Sequence, residues 1–135
     1  MSEIVHYLQA MVAQGGSDLH LSVDAPPMIR VHGSLRPVDE TPLDKDRSYQ
    51  LVMGILSDRQ RSELEERMEL DFAVNVDQLG RFRGNAHFNR GALEAAFRHI
   101  PDEIPELTQL GHEEIVEELC KLQQGLVLVT GITGS

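Results

Sequence analysis

The sequence predicts an α+β fold: an antiparallel sheet with flanking helices, followed by the first helix and strand of a phosphate-loop domain. Three observations carry that reading. Period-two alternation of apolar and polar residues recurs in short segments, most clearly at residues 70–76 and along the pair of segments from Arg81 to Ile100. Stripes of apolar residues at helical spacing stand between those segments. Near the C-terminal end an unbroken apolar run, Leu126-Val127-Leu128-Val129, lies between Gly125 and Thr130-Gly131. That is the pattern of a short strand buried on both faces.

Taken in order, Ile4, Leu8, Met11 and Val12 fall on one face of a helix, and Gly15-Gly16 ends it as a left-handed C-terminal cap would. Residues 18–23 alternate as a strand, with Leu19, Leu21 and Val23 on one side. Pro26-Pro27 forces extended backbone and removes donors, which suits a loop or a sheet edge. Residues 28–31 and 35–38 read as a hairpin around His32-Gly33-Ser34. Thr41-Pro42-Leu43-Asp44 opens helical territory whose apolar face is Tyr49, Leu51, Val52, Ile55 and Leu56. Ser57 followed by Gln60 is a capping box, so a second helix starts there, with Leu64 and Met68 as its apolar points. Residues 70–76 form a strand, and Asp77-Gln78-Leu79-Gly80 turns the chain into the hairpin from Arg81 to Ile100. Residues 102–111 read as a linker. Ile115, Val116, Leu119 and Leu122 mark one more amphipathic helix, with Lys121 near the end where a cation is favoured.

Composition narrows the function. In 135 residues there are 12 basic and 22 acidic side chains, a formal charge of -10, which repels phosphodiester backbones and anionic lipid. Nucleic acid is therefore not an expected partner, and direct membrane insertion is not expected either. Hydrophobic residues make up 41% of the chain but aromatics only 4%, so the core must be mainly aliphatic around Phe72, Phe82, Phe88 and Phe97. One cysteine, Cys120, suits a reducing compartment and reads as a core thiol beside apolar neighbours. Residues 1–3 show no export signal, and a cytoplasmic location is expected.

The stretch Gly131-Ile132-Thr133-Gly134-Ser135 fits the opening of G-x-x-x-x-G-K-[ST], with a strand before it. A plain glycine turn after a strand fits as well. On the phosphate-loop reading, the lysine and the hydroxyl that binds magnesium lie beyond Ser135. The helix N-terminus that cradles phosphates lies there too, so no nucleotide is expected to bind tightly to residues 1–135 themselves.

Four arginines, Arg81, Arg83, Arg90 and Arg98, gather in a stretch whose one acid is Glu94. Register follows from the faces. Pairing Asn89 with Ala92 sets Phe88 against Leu93, Ala86 against Ala95, Gly84 against Phe97 and Phe82 against His99 on a mainly apolar face. The polar face then carries Arg83 opposite Arg98 and Arg81 opposite Ile100. A slip of one residue would mix the faces. Arg90 at the first central position suits a primed two-residue turn poorly, so a wider loop with the same pairing is also open. Opposed like charges destabilise a sheet unless an anion sits between them, and arginine is suited to bidentate phosphate contact. Pairing of each arginine with a carboxylate elsewhere is the competing reading.

With these residues in hand, the chain resembles the retraction ATPases of type IV pili, within the wider secretion-ATPase superfamily. The resemblance is carried by Ser17-Asp18-Leu19-His20-Leu21-Ser22, Pro26-Pro27-Met28-Ile29-Arg30-Val31, Gly80-Arg81-Phe82-Arg83, Phe97-Arg98-His99-Ile100-Pro101, and the run from Gly125 to Ser135. It implies a PAS-like N-terminal domain over residues 1–101, a linker over 102–111, and the start of a RecA-like ATPase domain over 112–135. It further implies a hexameric ring of identical subunits that drives pilus retraction in twitching motility. Such a ring would be cytoplasmic, at the pilus base by the inner membrane, with the pilus assembly machinery as partner. ATP with magnesium would be the cofactor of the longer protein. Arg83 and Arg98 stand where the family's N-terminal domain sends arginines toward the nucleotide phosphates, with Arg81 as a third, and Gly131, Ile132, Thr133, Gly134 and Ser135 stand in the phosphate loop. Gly84 occupies a place where a β-branched residue is expected, and is expected to loosen its strand.

Other readings weigh less. The six histidines lack the spacing of a metal site, His20 and His32 being the nearest pair, and no metal site is expected. Glu63, Glu65, Glu66 and Asp71 suit a solvated surface. A PAS-like module that senses a small molecule in a central cavity is the alternative function; an unrelated kinase or GTPase fits poorly with about 120 residues ahead of the loop.

Overall fold

The computed structural model describes residues 3–101, 106–111 and 113–131. The chain divides into two compact units, Met1–Asp102 and Glu103–Ser135.

The first unit is a six-stranded antiparallel sheet with three helices on one face. Helix α1 (Glu3–Ala13) buries Ile4, Tyr7, Leu8 and Met11. It stops because Gly15 turns left-handed at φ +65° and the Gly15 and Gly16 amides double back onto Val12 and Met11 carbonyls. Strands β1 (Asp18–Leu21), β2 (Met28–Val31) and β3 (Ser34–Pro37) follow. His32 and Gly33, both at positive φ, make the two-residue turn between β2 and β3.

Helix α2 (Lys45–Met53) begins later than the sequence suggests. Residues 41–43 do not join it, because Leu43 exchanges backbone hydrogen bonds with Asp24 and Ala25 and pairs with Val23 as an isolated bridge. Asp44 caps the helix through the Arg47 amide. Helix α3 (Asp58–Arg67) carries the expected capping box of Ser57 and Gln60.

Strands β4 (Glu69–Val76), β5 (Gly80–Asn89) and β6 (Ala92–Ile100) complete the sheet in the order β3-β2-β1-β6-β5-β4. The β5–β6 register is the one the faces demand, including Arg83 opposite Arg98 and Gly84 opposite Phe97. The connection is a tight two-residue turn, with Arg90 at φ +50° and Gly91 at φ +76°, and not a wider loop.

One sheet face is the core: Leu19, Leu21, Ile29, Phe82, Ala86, Leu93, Ala95 and Phe97 are buried there with the apolar faces of α1 and α2 and with Leu64 of α3. Alternation sends the other side chains of the same strands to the opposite face.

Gly84 corrects an expectation. It does not loosen β5; it makes room for a ring. A Cβ at Gly84 would lie 2.3 Å from Cζ of Phe72. Phe72, on β4, lies over the glycine and meets Phe97 of β6 edge-on, their centroids 5.7 Å apart.

The second unit holds a short helix, α4 (Leu107–Leu110), and α5 (Glu113–Cys120). The run 126–129 is not a strand here: it has no regular structure, and its side chains are exposed. An apolar run becomes a buried strand only where a sheet accepts it, and the described residues of this unit include no strand. Cys120 is likewise exposed, against its reading as a core thiol, because Ile115 and Leu119 of the same helix are themselves uncovered. Among the described residues no helix is long and apolar enough to cross a membrane.

Candidate anion-binding site

The polar face of the sheet carries the site. Strand pairing lines up one row across it, Arg30 of β2, Asp18 of β1, Arg98 of β6 and Arg83 of β5. Arg81 lies on the same face two residues before Arg83, so three of the four hairpin arginines face the same way. Arg90 sits apart in the turn.

Arg98 and Arg83 differ in what they touch. The Arg98 Nε–H donates to Asp18 Oδ1 at 2.8 Å, although the Arg98 side chain is 70% exposed. Ser17 Oγ–H donates to Asp18 Oδ2 at 2.7 Å, and Arg30 Nε lies 3.7 Å from the same oxygen. Arg30 is further tied by Nη1–H to the Gly33 carbonyl at 3.1 Å. Arg83 and Arg81 are exposed, and among the described residues neither makes an ion pair or a side-chain hydrogen bond. The carboxylate reading thus holds for Arg98 and not for Arg83 or Arg81. The row carries three cations against one anion, and the surplus lies at Arg83.

Between Arg83 and Arg98 runs a groove of about 240 Å³, bounded by Asp18, Asp71, Asn85 and Ala96 as well as the two arginines. Small Ala96 leaves its floor open, and Asn85 is drawn toward Glu69 and Asp71 by weak hydrogen bonds of 3.4 and 3.2 Å. Two guanidiniums beside an open floor are suited to an anion with several oxygens.

Asp18 was not legible as part of the site, and neither was Arg30. Both stand in the alternating segments, but nothing local says that β1 will lie against β6, some 80 residues away. The available signal was weak: Asp18 begins a strand whose partners elsewhere are rich in arginine.

Burial works against the charge on Asp18, but Ser17 Oγ–H and the Arg98 guanidinium outweigh it and hold the carboxyl below its usual 3.8. His20, on the same face, also favours that charge when protonated. A lowered folded-state value means stability that is present above pH 3.8 and lost as pH falls through the folded value. Thermal melting between about pH 5 and pH 2 is therefore expected to fall more steeply in the wild-type chain than in Arg98→Ala. Parallel curves would remove the ion pair from the energetics.

The phosphate-loop residues Ile132, Thr133, Gly134 and Ser135 lie outside the described residues. Gly131 is exposed and irregular. Within the first unit the structure brings together Arg83, Arg98 and Arg81. Among the described residues no group of three His, Cys, Asp or Glu side chains is placed to hold a metal ion.

No family model matches the chain. It is 43% identical over 134 residues to the type IV pilus retraction ATPase PilT of Pseudomonas aeruginosa, covering 98% of this chain and 39% of that protein. It is 35% identical over 133 residues to the type IV pilus ATPase PilU of the same organism, covering 98% of this chain and 35% of that one. The crystal structure of the pilus retraction motor PilT with bound ADP superposes with a TM-score of 0.82 at 37% identity, covering 100% of this chain and 39% of that one. The chain spans less than two fifths of the length of each of these relatives.

Proposed function

We propose that this chain, homologous over nearly its whole length to the N-terminal part of the pilus retraction ATPase PilT, is the N-terminal region of a hexameric motor that drives type IV pilus retraction. In this reading residues 1–101 are a PAS-like domain, 102–111 a linker and 112–135 the start of a RecA-like ATPase domain. The six-stranded sheet with helices on one face fits a PAS-like domain. The motor would work in the cytoplasm against the pilus assembly machinery at the inner membrane.

The role assigned to this chain is to pack subunits and to present arginines to a nucleotide held mainly by the ATPase domain. The observation that carries it is the pair on the polar face: Arg98 opposite Arg83, the latter without a carboxylate among the described residues. The residues fit a triphosphate in that respect. ATP with magnesium supplies the phosphoryl group that is transferred. Arg98, steadied at Nε, presents its two Nη groups outward, and Arg83 presents a whole guanidinium across the groove. Negative charge that builds on a transferring phosphoryl group would be met by both. Neither residue gives or takes a proton, since guanidinium stays charged at all working pH values.

The sensing-module reading is not favoured by the polar-face groove, which is open and lined by charge. Among the described residues the core side of the sheet is filled by packed side chains.

Phenylglyoxal, which modifies free guanidinium groups, tests the proposal. In a protein that continues through the whole ATPase domain, Arg83 is expected to be modified readily without nucleotide and to be protected by ATP with magnesium. Equal modification with and without nucleotide would refute the role of Arg83.

A further inference from the structure

The row Arg30–Asp18–Arg98–Arg83 places a carboxylate where a phosphate-binding surface would ordinarily exclude one. Its geometry resolves the conflict. Asp18 is held from three directions: by the Ser17 hydroxyl, by the Arg98 Nε–H and, at longer range, by Arg30. Its side chain is only 10% exposed, whereas that of Arg98 is 70% exposed. The carboxylate is therefore sunk in the sheet while the guanidinium it holds projects from it.

We propose that Asp18 is a positioning residue: it takes the Nε–H of Arg98, fixes the plane of that guanidinium, and leaves both Nη groups directed away from the sheet for a phosphate. The inference rests on the proposed role of Arg98 and adds to it the residue that sets its aim.

The chemistry favours this division of labour. A free arginine loses rotamer entropy on being fixed in one geometry, and part of that loss is met in advance when a neighbour already holds Nε. Binding at Nε also keeps Asp18 away from the Nη edge, so the carboxylate does not occupy the fork that a phosphate would use. Arg30 shares the charge of Asp18 without competing for the site, because its own Nη1–H is engaged by the Gly33 carbonyl. Among the described residues Arg83 has no such support, and the two arginines are thereby unequal: one aimed in advance, the other free to swing.

The test uses two measurements. In the 135-residue chain, nitrogen-15 NMR is expected to show a slowly exchanging Arg98 Nε–H signal at neutral pH. The Arg83 Nε–H should exchange faster than that of Arg98 at neutral pH. This difference in rate should vanish as acid protonates Asp18, although exchange of both slows as pH falls. Among the described residues the charged groups around Asp18 are Arg98, Arg30 and His20, with Arg83 and Asp71 lining the same groove, so all five are followed in the same titration. This arm needs no variant and so survives any failure of one to fold. A fast-exchanging Arg98 Nε–H at neutral pH overturns the proposal.

In the ATPase-length protein, Asp18→Asn is expected to lower kcat by about 10- to 100-fold with little change in KM for ATP. On an Arg98→Ala background it should cost nothing further. If Arg98→Ala lowers turnover and Asp18→Asn does not, the positioning role fails while the phosphate role of Arg98 stands. A full additional loss in the double variant also overturns it, since Asp18 would then act elsewhere. If Arg98→Ala itself has no effect, the reading of Arg98 on which this rests fails first.

Discussion

Replacing Arg83 by alanine is expected to lower kcat for ATP hydrolysis in the ATPase-length protein by about 10³-fold, with the KM for ATP changed little. The split between the constants is the informative part. A guanidinium that met the phosphates equally in ground and transition states would raise KM when removed. One that meets charge developing on the transferring group lowers kcat instead. Arg83 is the stronger candidate of the pair because it has no partner among the described residues: nothing in the sheet compensates it, and its charge is available in full. Arg98 shares its charge with Asp18, so Arg98→Ala is expected to cost about ten times less than Arg83→Ala. Arg83→Lys should recover only part of the loss, since an ammonium cannot span two phosphate oxygens as a planar fork does. Steady-state kinetics on the four proteins decides the matter. Wild-type turnover in Arg83→Ala would remove Arg83 from the phosphate role, and wild-type turnover in both alanine variants would remove the pair from it.

Gly84→Val is expected to destabilise the N-terminal unit by about 3 kcal/mol, and Gly84→Ala by somewhat less. Valine is ordinarily a better strand residue than glycine, so the sign is opposite to what strand propensity gives. The cause is the Phe72 ring, three of whose carbons lie between 2.3 and 2.8 Å from where the new Cβ would sit. The ring is buried and set edge-on to Phe97, so it cannot turn aside without giving up that contact. Denaturant unfolding provides the measure. Phe72→Leu should relieve part of the clash, making the double variant less damaged than the sum of the singles. A stable Gly84→Val protein with an unmoved Phe72 would show that the ring has room the packing does not indicate.

Much of this fold follows from local rules. The capping box at Ser57 and Gln60 and the left-handed stop at Gly15 are set by residues close together in the chain. The β5–β6 register is almost as local, because the strands are joined by two residues and one wrong step would bury Arg83 and expose Phe82. Hence the opposition of Arg83 and Arg98 was readable in advance. The start of α2 was not. Leu43 obeys a backbone pairing with Asp24 and Ala25 that helix signals cannot anticipate. The strand expected at 126–129 failed for a related reason, since its apolar run states a need for burial and not the surface that meets it.

Local spacing by itself therefore determined which side chains share a face, where helices are capped, and that two arginines stand side by side. Only the tertiary structure decided that β1 lies against β6, and so that Asp18 reaches Arg98 while Arg83 stays unpaired among the described residues. It alone also turned Gly84 from a weak point into the seat of a ring. The physical reason is that side-chain alternation acts over a few residues of one chain. Charge pairing and close packing act across strands that meet only after the whole sheet has closed.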